Sequence, residues 1–185
     1  MIIPTNHPGC NLRSWHTNDV PSLVLNANNR NVWNNLTDNF PHPYLEDDAK
    51  SWICNTTTEF AHLAIDLDGV AIGGAGIITD KFQLRIGELG YWLGEPFWGR
   101  GIASSVVKAM VDHFFAINAF DRLEATVFEW NVPSMRVLEK TGFHRGNLVE
   151  RHILKNGKLI NGIEHSLDRL DWIFNGSGVV NSNAF

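Results

Sequence analysis

Gly99, Arg100, Gly101 and Ala103 fall within one short turn, residues 98–104, whose composition suits phosphate oxygens. The small residues let the backbone come close to a ligand. The helix that opens at Ile102 brings unpaired N–H groups and a positive dipole end to the same place, a combination that favours anions. Arg100 adds a formal charge, and Trp98 and Ser104 bound the turn. Glu88 opens the strand-like run Glu88-Leu89-Gly90-Tyr91-Trp92-Leu93 that precedes this turn, and a carboxylate there is a candidate proton acceptor. Alternation places Glu88, Gly90 and Trp92 on one face of that strand and Leu89, Tyr91 and Leu93 on the other. Glu150 and His152 share one face of a later strand, and an imidazole exchanges protons near neutral pH. Asn131 and Ser134 span a helix start, so Asn131 can cap it while Ser134 points into the same cleft.

The elements that hold these groups follow from period and punctuation. From Ile102, two rows recur at helical spacing: Ile102, Val106, Met110, Phe114 beside Ala103, Val107, Val111, Phe115. This is one broad apolar face. A first strand is predicted over 10–14, helices over 20–39 and 45–57, and strands over 62–67 and 70–79 around the hairpin turn Asp68-Gly69. Pro41 and Pro43 break the chain between the two helices. Residues 122–130 alternate as a strand, a helix runs from Pro133 to Gly142, and a last hairpin turns at Asn156-Gly157. The order β-α-α-β-β-β-α-β-α-β-β predicts an α/β (α+β) fold, a mixed and mostly antiparallel twisted sheet with helices on both faces. One domain is expected over residues 1–175, with a loose tail of Gly, Ser and Asn over 176–185.

Composition narrows the function classes. The 185 residues carry 44% hydrophobic and 19% charged side chains, ordinary for a globular domain with a sizeable core. A net charge of −5 argues against a nucleic-acid partner. Cys10 and Cys54 are too few for a disulfide scaffold and lack metal-ligand spacing, so no metal is expected. Without an apolar run of membrane length or a signal-peptide pattern, the expectation is a cytoplasmic protein with no membrane partner. Three formal sequons, at Asn35, Asn55 and Asn175, are then chance matches in an Asn-rich chain.

Several blocks together resemble the GNAT N-acetyltransferases of the RimJ/RimL-like branch. Gly101 and Ala103 stand at the two small positions of that family's Gln/Arg-x-x-Gly-x-Gly/Ala acetyl-CoA pyrophosphate loop, and Trp98 replaces the usual Gln or Arg. Leu12-Arg13-Ser14-Trp15 and Phe40-Pro41-His42-Pro43-Tyr44 resemble the branch's first blocks. Gly90-Tyr91-Trp92-Leu93, Asn131-Val132-Pro133-Ser134 and Lys140-Thr141-Gly142-Phe143 resemble its later ones. The resemblance implies acetyl-CoA as cosubstrate, held by Trp92, Leu93, residues 98–104 (Trp98, Gly99, Arg100, Gly101, Ile102, Ala103, Ser104) and Asn131. It implies Glu88 as base, Ser134 facing the thioester sulfur, backbone N–H near Leu93 as oxyanion donor, and an acceptor rimmed by His42, Tyr44, Trp15 and His152. A homodimer is among the assemblies it implies. The residues alone leave open a non-catalytic acyl-CoA-binding module and a transferase for a longer acyl group.

Acetyl transfer needs a neutral amine, donors for the oxyanion, and a proton for the departing thiolate. An α-amine with a pKa of about 7.7–8.0 is on the order of 10% neutral at pH 7. An alkylamine with a pKa of about 10.4 is neutral less than about 0.1% of the time. The base matters far more for the second kind of acceptor.

Overall fold

The computed structural model describes residues 1–54, 59–79 and 82–174, so the predicted tail lies outside the described residues. Strands β1 (Ile2–Pro4), β2 (Cys10–Ser14), β3 (Glu59–Leu67), β4 (Val70–Thr79), β5 (Ile86–Leu93), β6 (Arg122–Phe128), β7 (His144–Lys155) and β8 (Lys158–Asp168) form one eight-stranded sheet. Their order is β1-β2-β3-β4-β5-β6-β8-β7. β5 and β6 pair in parallel and the other neighbours pair antiparallel. The helices are α1 (Val20–Ala27), α2 (Arg30–Trp33), α3 (Glu46–Cys54), α4 (Ile102–Ala116), α5 (Val132–Lys140) and α6 (Arg169–Trp172).

Two apolar clusters cover the two faces of the sheet. On one, α4 buries both predicted rows apart from Ala103, packing with Leu89 and Leu93 of β5 and with Met135 and Leu138 of α5. On the other, Leu23 and Ala27 of α1, Val32 and Trp33 of α2 and Ala49 of α3 pack with Phe40, Tyr44 and Trp92. Leu89 and Leu93 on one side and Trp92 on the other reproduce the predicted alternation of β5. No helix among the described residues is long and apolar enough to cross a membrane.

The predicted helix over 20–39 is instead two helices. Asn29 Oδ1 accepts from the backbone N–H of Asn31 and Val32, at 2.8 and 3.1 Å, so the side chain starts a new helix where the old one would have continued. Asn29 and Asn31 also donate to the two carboxylate oxygens of Glu95, both at 2.7 Å, fixing α2 against the segment after β5. β1 and α6 were not predicted because three or four residues are too few to show a period.

Arg13 joins three parts of the chain. It donates to Asp19 from both guanidinium ends, at 2.7 and 2.9 Å, and to Asp66 at 2.8 Å. Both carboxylates are buried. Burial pushes the Asp19 carboxyl up, but hydrogen bonds from Arg13 and from the His16 N–H outweigh it and leave it below its usual value. The stability this contributes is complete above the unfolded carboxyl value of about 3.9 and is lost as pH falls through the lower folded value. Arg13→Met leaves two buried carboxylates without a cation and should cost about 3 kcal/mol in urea unfolding at pH 7. A loss below about 1 kcal/mol would show that solvent already screens the network.

Candidate active site

The site begins where two strands part. β5 and β6 pair at Ile86 with Arg122, Gly87 with Leu123 and Glu88 with Glu124. Beyond that point β5 runs on to Leu93 and β6 to Phe128 without pairing. Across β4, the Gly94 N–H donates to Ile72 O at 2.8 Å. Antiparallel ladders alternate, so the peptide groups of Tyr91 and Leu93 turn away from β4 and face the gap. The Trp98 indole N–H donates to Leu93 O at 2.7 Å, leaving the Leu93 N–H as the donor turned to the gap. Trp98 thus braces the end of β5, and its one polar atom is spent on the protein itself.

A cleft of about 930 Å³ opens on this gap. Trp92, Leu93, Trp98, Gly99, Arg100, Gly101, Ile102, Ala103, Ser104, Asn131 and Ser134 all line it, so the structure brings these predicted residues together. Gly99 and Gly101 have φ of 73° and 79°, a region that L side chains rarely adopt. A Cβ on either would meet nothing within 4 Å, so the turn lies against open space. Gly101 precedes α4 with no side-chain cap, leaving the first N–H groups of the helix to the cleft. The described lining also includes Arg100, Arg136, Lys140, Lys155 and Lys158 and no carboxylate. In a chain of net charge −5 this is a locally basic cleft suited to a polyanion.

At the inner end, Asn131 caps α5 by accepting from the Ser134 N–H at 3.3 Å. The Ser134 hydroxyl lies 2.8 Å from the Tyr91 hydroxyl, which also donates to Ser134 O at 3.3 Å. Burial pushes the Tyr91 phenol up to about 12, against the opposing hydrogen bond from Ser134, so it is neutral and can donate at pH 7. Tyr91 completes a pair that sequence reasoning missed. Its alternation was legible, but no local spacing links residue 91 to residue 134.

Glu88 faces the other side. It lines a second cavity of about 300 Å³ with residues 37–39, Thr126, Ile153 and Leu154. It has no hydrogen-bond or ion-pair partner among the described residues. Gly90, next on the same face, is exposed, and a Cβ there would meet nothing within 4 Å. The main cleft reaches both faces of β5, lined by Trp92 and α2 on the Glu88 face and by Tyr91 and Leu93 on the other, and the second cavity lies on the Glu88 face alone.

The expected acceptor rim is placed differently. Tyr44 is 1% exposed and stacks on Phe40 at 4.8 Å, inside the aromatic cluster over Trp92. His42 packs on Trp33 at 5.5 Å and Trp15 on His62 at 6.0 Å. His42, Tyr44 and Trp15 line neither cavity. The loop after α2 turns its aromatic residues inward, because burying them outweighs presenting them to solvent. Glu150 is exposed on β7, and the side chain of His152 lies outside the described part of the structure.

Sequence reasoning set the strand before the last hairpin turn beside the acceptor but missed Lys155 within it. Lys155, 4% exposed, donates to Trp33 O at 2.7 Å and lies 3.3 Å from the Trp33 ring centroid and 3.6 Å from Asp38. The Asn156 N–H donates to Asp38 at 2.8 Å. This clasp bridges the two cavities: Lys155 lines the first and Asp38 the second.

Comparison with known proteins agrees with this architecture. The chain is 25% identical over 168 residues to an uncharacterized N-acetyltransferase of Bacillus subtilis, YokL, derived from the SPbeta prophage, covering 89% of this chain and 92% of that one. The fold is similar to a GNAT-family acetyltransferase of Bacillus anthracis, with a TM-score of 0.81, 17% identity and coverage of 92% and 99%. It is also similar to Mycobacterium smegmatis RimJ, solved with a CoA disulfide, with a TM-score of 0.79, 21% identity and coverage of 95% and 94%. Residues 10–144 match the acetyltransferase (GNAT) domain, and the chain belongs to that family of N-acetyltransferases.

Proposed function

We propose that this chain transfers the acetyl group of acetyl-CoA to a primary amine, on a protein N-terminus or a small molecule, by direct attack in a ternary complex. The observation that carries the reading is the basic, glycine-cradled cleft that ends on the Tyr91–Ser134 pair where β5 and β6 part. Acetyl-CoA supplies an acyl group activated as a thioester. Residues 98–104 and the cations of the cleft hold its phosphates, and Asn131 borders the arm that leads inward. From the second cavity Glu88 takes the proton of the acceptor ammonium, directly or through water. The Leu93 N–H donates to the oxyanion as the N–C bond forms. The C–S bond then breaks, and Ser134, oriented by Tyr91, passes a proton to the thiolate. Cys10 is buried, with its thiol pushed up by burial, and neither Cys10 nor Cys54 lines either of these two cavities, which favours direct attack over a cysteine intermediate.

Calorimetric titration with acetyl-CoA, followed by thiol release over a panel of amines and N-terminal peptides, tests this. Binding with release on one amine class supports the transferase. Binding without release on any amine points to an acyl-CoA-binding module. No binding rejects the assignment of the cleft.

The Tyr91–Ser134 pair has its own expected signature. Tyr91→Phe and Ser134→Ala should each lower kcat about tenfold while CoA affinity stays within about twofold, and the double variant should lose little more than either alone. Parallel losses in kcat and CoA affinity would assign the pair to structure.

A further inference from the structure

We infer that the acceptor is a small amine bearing a second positive charge, which enters through the cavity that holds Glu88. The inference rests on the transferase reading above and names its substrate class. Its basis is the opposite charge of the two cavities that meet at the parted strands. The main cleft is lined by five cations and no carboxylate among the described residues. The second cavity is lined by two carboxylates, Asp38 and Glu88, and no basic side chain among the described residues. A polyanion and a cation would therefore be drawn to different cavities, the first to the main cleft and the second to the Glu88 cavity.

The acidic character extends along the sheet beyond the cavity wall. Glu124 pairs with Glu88 across the parallel strands, and Glu164 pairs with Thr126 across β6 and β8. Directly paired residues lie on the same face, so Glu88, Glu124, Thr126 and Glu164 share this one. Among the described residues, Arg122 and Lys155 are paired with acids here, and both are engaged. Arg122 donates to Glu124 at 2.7 Å and to Asp168 at 2.9 Å. Lys155 is held by Trp33 O and pairs with Asp38. Glu88 and Glu164 carry no partner among the described residues; Glu88 lines the cavity, and Glu164 is paired with Thr126 of its wall.

The chemistry of the acceptor follows. An amine ending in a carboxylate would bring a third negative group into this cavity without a free cation among the described residues to receive it. An amine with an apolar end would leave Glu164 unused. A diamine can place one ammonium at Glu88, where it loses its proton, while the other stays near Glu164. Acetylation removes one of the two charges, so the product is held less tightly than the substrate and can leave by the same path.

Three five-carbon probes with the same reacting amine test this: 1,5-diaminopentane, pentylamine and 5-aminopentanoate, followed by thiol release from acetyl-CoA with the full chain. The diamine should exceed pentylamine in kcat/KM by about tenfold, and 5-aminopentanoate should fall below pentylamine by a similar factor. Glu164→Gln should narrow the advantage of the diamine over pentylamine, and 0.5 M salt should do the same. Equal rates on the three probes, or the carboxylate as the best, would overturn the inference while leaving acetyl transfer intact. Acetyl-CoA binding with no turnover on any of the three would also reject it. Failure to bind acetyl-CoA is a different result and removes the transferase reading itself.

Discussion

Gly101→Glu should abolish CoA binding, lowering affinity by at least about 10³-fold, or roughly 4 kcal/mol, while the protein still folds. Two effects combine. A glutamate puts a negative charge at the uncapped start of α4, where the phosphates are proposed to bind, and turns an attractive field into a repulsive one. It also forces an L side chain to a φ of 79°, which costs about 1–2 kcal/mol. Because a Cβ at Gly101 meets nothing within 4 Å, the substitution disturbs no packed neighbour, and the thermal unfolding midpoint should fall only by the roughly 2–8 °C that this backbone cost brings. Gly101→Asn separates the effects, since Asn tolerates this backbone region and carries no charge. It should retain CoA binding to within about tenfold. Wild-type affinity in the Glu variant, measured by calorimetry, would reject the phosphate turn.

Glu88→Gln should act through the amine. Without a carboxylate to take the proton, the variant depends on the fraction of acceptor already neutral in solution. At pH 7 that fraction is on the order of 0.1% for an alkylamine and 10% for an α-amine. The expected loss in kcat/KM is therefore about 10³-fold on the first and about tenfold on the second. The sign of the pH dependence follows. Each unit of rising pH multiplies the neutral fraction by about ten, so the variant gains on the wild type until pH reaches the pKa of the amine. Profiles of kcat/KM for one amine of each kind decide the point. The same loss on both amines, unchanged with pH, would make Glu88 a positioning residue and not the base. The cavity that Glu88 lines makes a further distinction: CoA affinity should not change, because Glu88 lines the second cavity and not the basic cleft.

Some of this site was legible in local pattern. The apolar rows of α4 follow the helical period, and all but Ala103 are buried. The turn at Gly99 and Gly101 reads from small residues before a helix, and both adopt the positive φ that glycine permits. Asn131 caps α5 at the spacing its residue type suggests. The alternation of β5 correctly separated Glu88 from Leu89 and Leu93. What failed locally also has a local cause. The helix over 20–39 satisfied an apolar pattern, but Asn29 offered the backbone a competing hydrogen bond and the helix broke there.

The sequence by itself determined which residues can bind phosphate, cap a helix or accept a proton, because these properties depend on residue type and on neighbours within a turn or two. It also determined the faces of α4 and β5, whose periods are carried by consecutive residues. Only the tertiary structure decided how those faces meet. Tyr91 reaches Ser134 across 43 residues, and Lys155 reaches Trp33 across 122, separations that no periodicity spans. The parting of β5 from β6 comes from pairing that stops at Glu88, and the opposite charge of the two cavities comes from side chains gathered from α5, β5, β7, β8 and two loops. Tyr44, polar enough to rim a binding site, was drawn inward because the aromatic cluster over Trp92 gains more from burying its ring than the surface would from showing it.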